Sequence, residues 1–206
     1  MKNRPKMSDL VRRNFPAEYQ ADAENGIITG TPIVFGQPTD IGGWFEEVIE
    51  PGAISQDILR DVAFFYNHDL HSKPLARTRT GKLILTVNDH GVDMEAHVNR
   101  DRTDVNDLYL AIQDGDIDGM SFMFRVSKET WEREDTDYPL RRIQEIGYVQ
   151  EVSAVNYPAY QGTSINARAD MPLDSDKQMV DTIRANALDR VNKSQLELAK
   201  AKALAN

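Results

Sequence analysis

Residues 104–126 read DVNDLYLAIQDGDIDGMSFMFRV, and the periodicity of this stretch changes halfway along. Leu108 and Ile112, with Tyr109 beside them, recur at the three- to four-residue spacing of one helical face. Asp104 stands where an N-cap belongs, and Gly115 where a left-handed residue closes a helix. From Met120 the pattern becomes MSFMFRV, an apolar and aromatic run of strand length. A helix, a turn and a strand that opens on Ser121 are therefore expected in direct succession.

The turn, DGDIDG, also matches the opening of a calcium-binding loop through Asp114, Asp116, Asp118 and Gly119. Such a loop needs a bidentate glutamate at its twelfth position and a helix beyond it. Counting from Asp114, the twelfth residue is Arg125 and the eighth, where a hydrophobic residue belongs, is Ser121. A guanidinium cannot replace the carboxylate, so the aspartates read as turn chemistry. His68 and His71 lie three apart in a loop, without a third ligand at a short fixed spacing. HExxH, Gly-rich phosphate-loop and dinucleotide signatures are missing, and no metal or other cofactor is expected.

Working outward, GIITGTPIVF, WFEEVI, VAFFYN, KLILTV and GVDMEAHV precede this stretch, and RRIQEIGYV and QEVSAVNYP follow it. All are rich in β-branched and aromatic residues and are punctuated by Gly, Pro, Asn or Asp. Residues 88–91, NDHG, read as a hairpin turn, which makes His90 a turn residue. Residues 92–98 alternate as a strand with one wet and one buried face. Pro158 ends the last run, because proline donates nothing to a sheet ladder. The fold class is mainly β with a few helices, an α+β domain.

The 206 residues suffice for one domain with tails, and the net charge of −9 argues against a general electrostatic grip on nucleic acid. The first thirteen residues nevertheless carry five Lys/Arg against one Asp, and read as a solvated, frayed arm. No apolar run approaches the ~20 residues that span a bilayer, no secretory signal is evident, and no membrane partner is expected. Zero cysteines exclude disulfides and thiolate metal sites. Beyond Ala169 the character changes: a polar MPLDSDK, then a Gly- and Pro-free run from Gln178 to Ala205. Val180, Ile183, Ala187, Val191 and Leu198 recur there at helical spacing, a stripe that needs the domain, a second copy or a partner to cover it. The expected division is a basic arm over 1–25, a domain over 26–169, a linker over 170–177 and a helix over 178–206.

Three residues carry possible chemistry. Ser121 begins an apolar strand beside a tight turn, where Gly119 allows close backbone approach. It is not a G-x-S-x-G nucleophile elbow, since Met123 replaces the second glycine. His68, in FFYNHDL, sits where a strand meets a turn, a placement that suits a base with rigid support behind it. Glu151 opens EVSAVNYPAY and shares a face with Ser153, opposite Val152 and Ala154. Each also fits a purely structural role, and a triad is defined by geometry rather than by sequence.

The combination is more specific than its parts. Residues 45–54 (FEEVIEPGAI), then FFYNHDLHSKPLART, GVDMEAHV, DGDIDGMSFMF and RRIQEIGYVQEVSAVNYPAY together resemble the prohead proteases of tailed bacteriophages. The resemblance spans Gly26 to about Ala169 and departs from the family's E-P-G-A-F block only at Ile54. It implies a serine endopeptidase with a β-barrel similar to herpesvirus assemblin proteases. Carried over by position, Ser121 is the nucleophile, His68 the general base and Glu151 the third member, with His97 as rival, since assemblin-like enzymes use a second histidine. Backbone amides near the site, Gly119 among them, or Arg142 are the oxyanion candidates; Arg141 and Arg142 otherwise read as a solvated strand face. The implied substrate is the major capsid protein or a scaffold segment inside the procapsid in the bacterial cytoplasm, with self-cleavage and a homo-oligomer expected. The alternative is a non-catalytic scaffold or capsid-assembly protein that retains the fold.

Overall fold

The computed structural model describes residues 9–16, 20–22, 26–156 and 172–204. Eleven strands and two α-helices are assigned there: β1 (Val11–Pro16), β2 (Gln20–Asp22), β3 (Ile27–Val34), β4 (Thr39–Ile41), β5 (Phe45–Ile49), β6 (Ala63–Tyr66), β7 (Ala76–Arg77), β8 (Leu83–Val87), β9 (Gly91–His97), α1 (Thr103–Gln113), β10 (Gly119–Glu132), β11 (Leu140–Val155) and α2 (Asp174–Leu204). The domain is mainly β, as the strand composition requires. None of the described helices is long and apolar enough to cross a membrane.

The helix–turn–strand succession forms α1 and β10. Val105, Leu108, Tyr109 and Ile112 make the buried face of α1, and Gly115 (φ +80°) closes it in the left-handed region that glycine adopts at least cost. Asp104 is not the cap. Arg102 holds the N-cap position without a side-chain cap, and Asp104, in the first turn, accepts hydrogen bonds from Arg102 Nε (3.2 Å) and Nη2 (2.6 Å).

Strands β10 and β11 are the spine of a seven-stranded sheet ordered β1-β10-β11-β5-β4. They pair antiparallel along nearly their whole length, with Ser121 opposite Ser153 and Met123 opposite Glu151. On its other edge β11 takes two parallel neighbours, β5 against Leu140–Ile143 and β6 against Glu151–Ala154. One strand thus joins two separate parallel neighbours on the same edge. The second sheet is β2-β3-β9-β8. Gly91 lets β9 approach β3: a Cβ there would stand 2.0 Å from the Ile33 carbonyl oxygen.

Both sheets and α1 feed one core. Phe122, Phe124, Val149 and Val152 come from the first sheet, Ile28, Ile33, Val92 and Met94 from the second. Each such side chain, fully buried, contributes about 1.5–3 kcal/mol. The described strands do not close into the barrel that the resemblance implies. Among the described residues no strand ladder joins the two sheets, which leaves β4 and β8 at sheet ends.

Two terminal elements depart from expectation. Residues 11–16, inside the basic arm read as frayed, form β1 and pair antiparallel with Val11 opposite Phe124 and Asn14 opposite Ser121. Helix α2 starts at Asp174, before Gln178, and only its first turns are docked: Val180 and Ile183 are buried, whereas Leu188 and Val191 are 62% and 51% exposed. Val180 packs with Ile41, Phe45, Trp44 and Trp131. The Leu198 side chain and residues 157–171, which include Pro158 and the first two residues of the expected linker, lie outside the described residues.

Candidate active site

Ser121 is the third residue of β10 and has no measurable exposure. The ladder sets it opposite Ser153 of β11, and cross-strand partners in an antiparallel pair project to the same face. Two residues earlier on β11, Glu151 shares that face because side chains alternate along a strand. Beyond β11, β6 pairs Phe65 with Ser153 and Tyr66 with Ala154, then ends in a turn that carries Asn67 and His68. Both turn residues have positive φ, 49° and 58°. Such backbone is costly for residues with a Cβ, by about 1–3 kcal/mol, and persists where surrounding contacts hold it. Here the Asn67 amide donates to the Ala154 carbonyl at 2.8 Å, and the His68 amide to Ser153 Oγ at 3.3 Å.

The strained turn delivers the imidazole to Glu151. His68 Nδ1 lies 2.7 Å from Glu151 Oε1, the ring 7% exposed and the carboxylate fully buried. Ser153 Oγ donates to Glu151 Oε2, so both carboxylate oxygens are held. A carboxylate at Nδ1 favours the tautomer with the proton on that nitrogen and leaves a lone pair on Nε2. Nε2 is buried and has no hydrogen-bond partner among the described residues. Ser121 Oγ donates elsewhere, to the carbonyl oxygen of Arg13 in β1, at 2.9 Å.

Ser121, His68 and Glu151 are thus brought to one place, together with Ser153, which sequence reasoning left without a role. The signal was available: the alternation in EVSAV put Glu151 and Ser153 on one face. His97 is elsewhere, in the second sheet, its Nε2 2.7 Å from Glu95 Oε1 and its ring 44% exposed. Arg142 also lies apart, eleven residues before Ser153 on β11, roughly 35 Å along an extended strand. Its guanidinium engages Glu50 at 2.6 Å and Glu132 at 2.8 Å. Gly119 opens β10 opposite Val155, two residues from Ser121. No cluster of three or more metal-ligating carboxylates or imidazoles occurs among the described residues.

A second buried polar group occupies the other half of β11. Arg13 clasps Glu47 through Nε (2.5 Å) and Nη2 (2.8 Å), in the bidentate geometry that makes such pairs strong. Arg141 Nη1 reaches Glu47 (3.2 Å) and Asp176 (3.1 Å), and its Nη2 reaches Glu129 (2.5 Å). Burial alone would raise the Glu47 carboxyl, but Arg13 and Arg141 hold it below its ordinary value. Asp176 is pushed up by burial despite Arg141. Arg141, read from sequence as part of a solvated face, is 4% exposed. Five elements, β1, β5, β10, β11 and α2, meet at this network.

With this geometry in view, comparison with known proteins gives two findings. The sequence model described as "Caudovirus prohead serine protease" matches residues 14–178. The prohead protease of Enterobacteria phage HK97 is 29% identical over 154 residues, which cover 73% of this chain and 63% of that one. The chain therefore spans less than two thirds of the length of that relative. No solved structure matches.

Proposed function

Since the chain belongs to the caudovirus prohead serine protease family, we propose that it is a serine endopeptidase that cleaves capsid or scaffold protein during procapsid maturation. The observation that carries the residue assignment is the buried pair of His68 Nδ1 and Glu151 Oε1 at 2.7 Å, with Nε2 left without a partner among the described residues and only β11 between the end of β6 and the strand of Ser121. An imidazole oriented at one nitrogen and open at the other is what a general base requires.

In the reaction, the Ser121 hydroxyl turns from the Arg13 carbonyl to His68 Nε2 as a substrate peptide carbonyl arrives. His68 takes the proton while Oγ bonds to the carbonyl carbon. Glu151 stabilises the resulting imidazolium, and Ser153 keeps the carboxylate from swinging. Collapse of the tetrahedral intermediate breaks the peptide C–N bond, and His68 returns the proton to the leaving amine. Water, deprotonated by the same imidazole, then hydrolyses the acyl-enzyme. The main-chain amides around Ser121, those following Gly119 included, are the donors nearest the developing oxyanion. Arg142 is not given this role, because its reach is too short.

The phage setting rests on family membership and on the name of the HK97 relative, and it brings the assembling procapsid with it. The test is co-expression with the major capsid protein of the same phage. The chain is expected to shorten that protein at one site, and Ser121→Ala to leave it intact. Equal processing by both proteins rejects the assignment. Capsid protein that binds the chain but stays full length in both samples supports the alternative, a non-catalytic assembly factor.

A further inference from the structure

Strand β10 has two edges beside Ser121. One is occupied by β11, which supplies Glu151 and Ser153. The other is occupied by β1, with Asn14 opposite Ser121. Take β1 away and the nucleophile's strand presents an open ladder, the arrangement to which extended peptides add as an extra strand. A peptide bound there in the β1 register sets one carbonyl against Ser121 Oγ. In the structure that carbonyl belongs to Arg13, at 2.9 Å.

The contact is unproductive in its present form. The hydroxyl donates to the Arg13 oxygen, so its proton points away from His68, whose Nε2 has no partner among the described residues. An attacking hydroxyl must instead give its proton to the base while a lone pair faces the carbonyl carbon. The arm is also anchored beyond the ladder. Arg13 is 1% exposed and clasped by both Glu47 oxygens, and Leu10 and Val11 are buried. Departure of β1 breaks that clasp, although Glu47 keeps Arg141 as a partner.

We propose that β1 occupies in cis the place on the β10 edge that an extended substrate segment takes, so that the chain rests inhibited until β1 withdraws. The proposal rests on reading Ser121 as the nucleophile. It makes the β10 edge the substrate-docking strand and Arg13 the residue that holds the arm down.

The test compares the rate at which a fluorophosphonate acylates Ser121 in the full chain and in Arg13→Ala, each checked for a cooperative melt. Arg13→Ala is expected to label at least tenfold faster. A synthetic peptide of residues 9–16, DLVRRNFP, added in trans is expected to slow it again. Equal labelling rates, or a peptide without effect, overturn the proposal and leave the nucleophile assignment standing. No adduct on Ser121 in either protein overturns both. Should Arg13→Ala fail to fold, amide exchange on the parent chain decides. The β1 amides are expected to exchange at least tenfold faster once Ser121 is phosphonylated, and unchanged protection overturns the proposal.

Discussion

Strand β11 carries two buried polar groups, and they differ in one respect. Near its start, Arg141, Glu47, Arg13, Asp176 and Glu129 form a closed network in which both guanidiniums meet carboxylates. Near its end, Glu151, Ser153 and His68 form a chain that stops at an imidazole nitrogen with no partner among the described residues. A satisfied network fixes how elements pack and has nothing left to give to a substrate. A chain that ends on an unpartnered buried atom is costly to keep, and such exceptions call for an explanation by chemistry. The difference fits an architectural role for the first group and the proposed catalytic role for the second.

Substitutions can break that contrast. The largest effect is expected at Ser121→Ala, with cleavage lowered by about 10⁶-fold and a melting temperature close to the parent's, since one hydrogen bond is worth only about 1 kcal/mol. A rate assay beside a thermal melt reads both. Glu151→Gln comes next. An amide at that position accepts from Nδ1 less well and turns the tautomer, and a loss of about 10⁴-fold in turnover is expected with the fold retained. A melt as damaged as the activity would move Glu151 into the architectural class.

The first group is expected to behave in the opposite way. Arg141→Met leaves Glu47 and Asp176 buried with one partner fewer, and denaturant unfolding should show a loss of about 3–5 kcal/mol. Titration sharpens the point. Glu47 sits below its ordinary 4.5, so its contribution is present above that pH and is lost as pH falls through the folded value. The stability gap between the parent and Glu47→Gln should therefore narrow on acidification from pH 7 to pH 3. Asp176 is raised above its ordinary 3.8, so its contribution is present below 3.8 and is lost as pH rises through the folded value. The gap between the parent and Asp176→Asn should move the other way over the same range. The smallest effect is expected on the undocked part of α2, where Val191→Asp should alter stability by less than about 0.5 kcal/mol.

How much of this was legible beforehand follows the same division. Local signals carried α1, the turn at Gly115 and strand β10, because periodicity and glycine chemistry act within a few residues. Ser121, His68 and Glu151 became candidates through the order of three motifs, and the ladder places the strands that carry them, β10, β11 and the end of β6, side by side. The closed network was not legible. Arg141 and Arg142 are adjacent and chemically identical, and only the placement of β5 and α2 buries one and leaves the other 35% exposed. Strand β1 was hidden for a related reason. Its sequence, VRRNFP, is polar enough to read as solvated, and what holds it is distant in sequence: the ladder to β10 and a salt bridge to a residue 34 positions away. Non-local charge pairing leaves no periodic trace in a sequence.

The central claim is that Ser121 is the nucleophile and His68 its base, while Ser153, directly opposite and equally buried, is a support. Prolonged exposure of the parent chain to a fluorophosphonate, followed by peptide mass mapping, tests it most directly. The added mass is expected on the peptide that carries Ser121 and is expected to disappear in His68→Ala. An adduct on Ser153, or labelling of Ser121 that persists undiminished without His68, would contradict it.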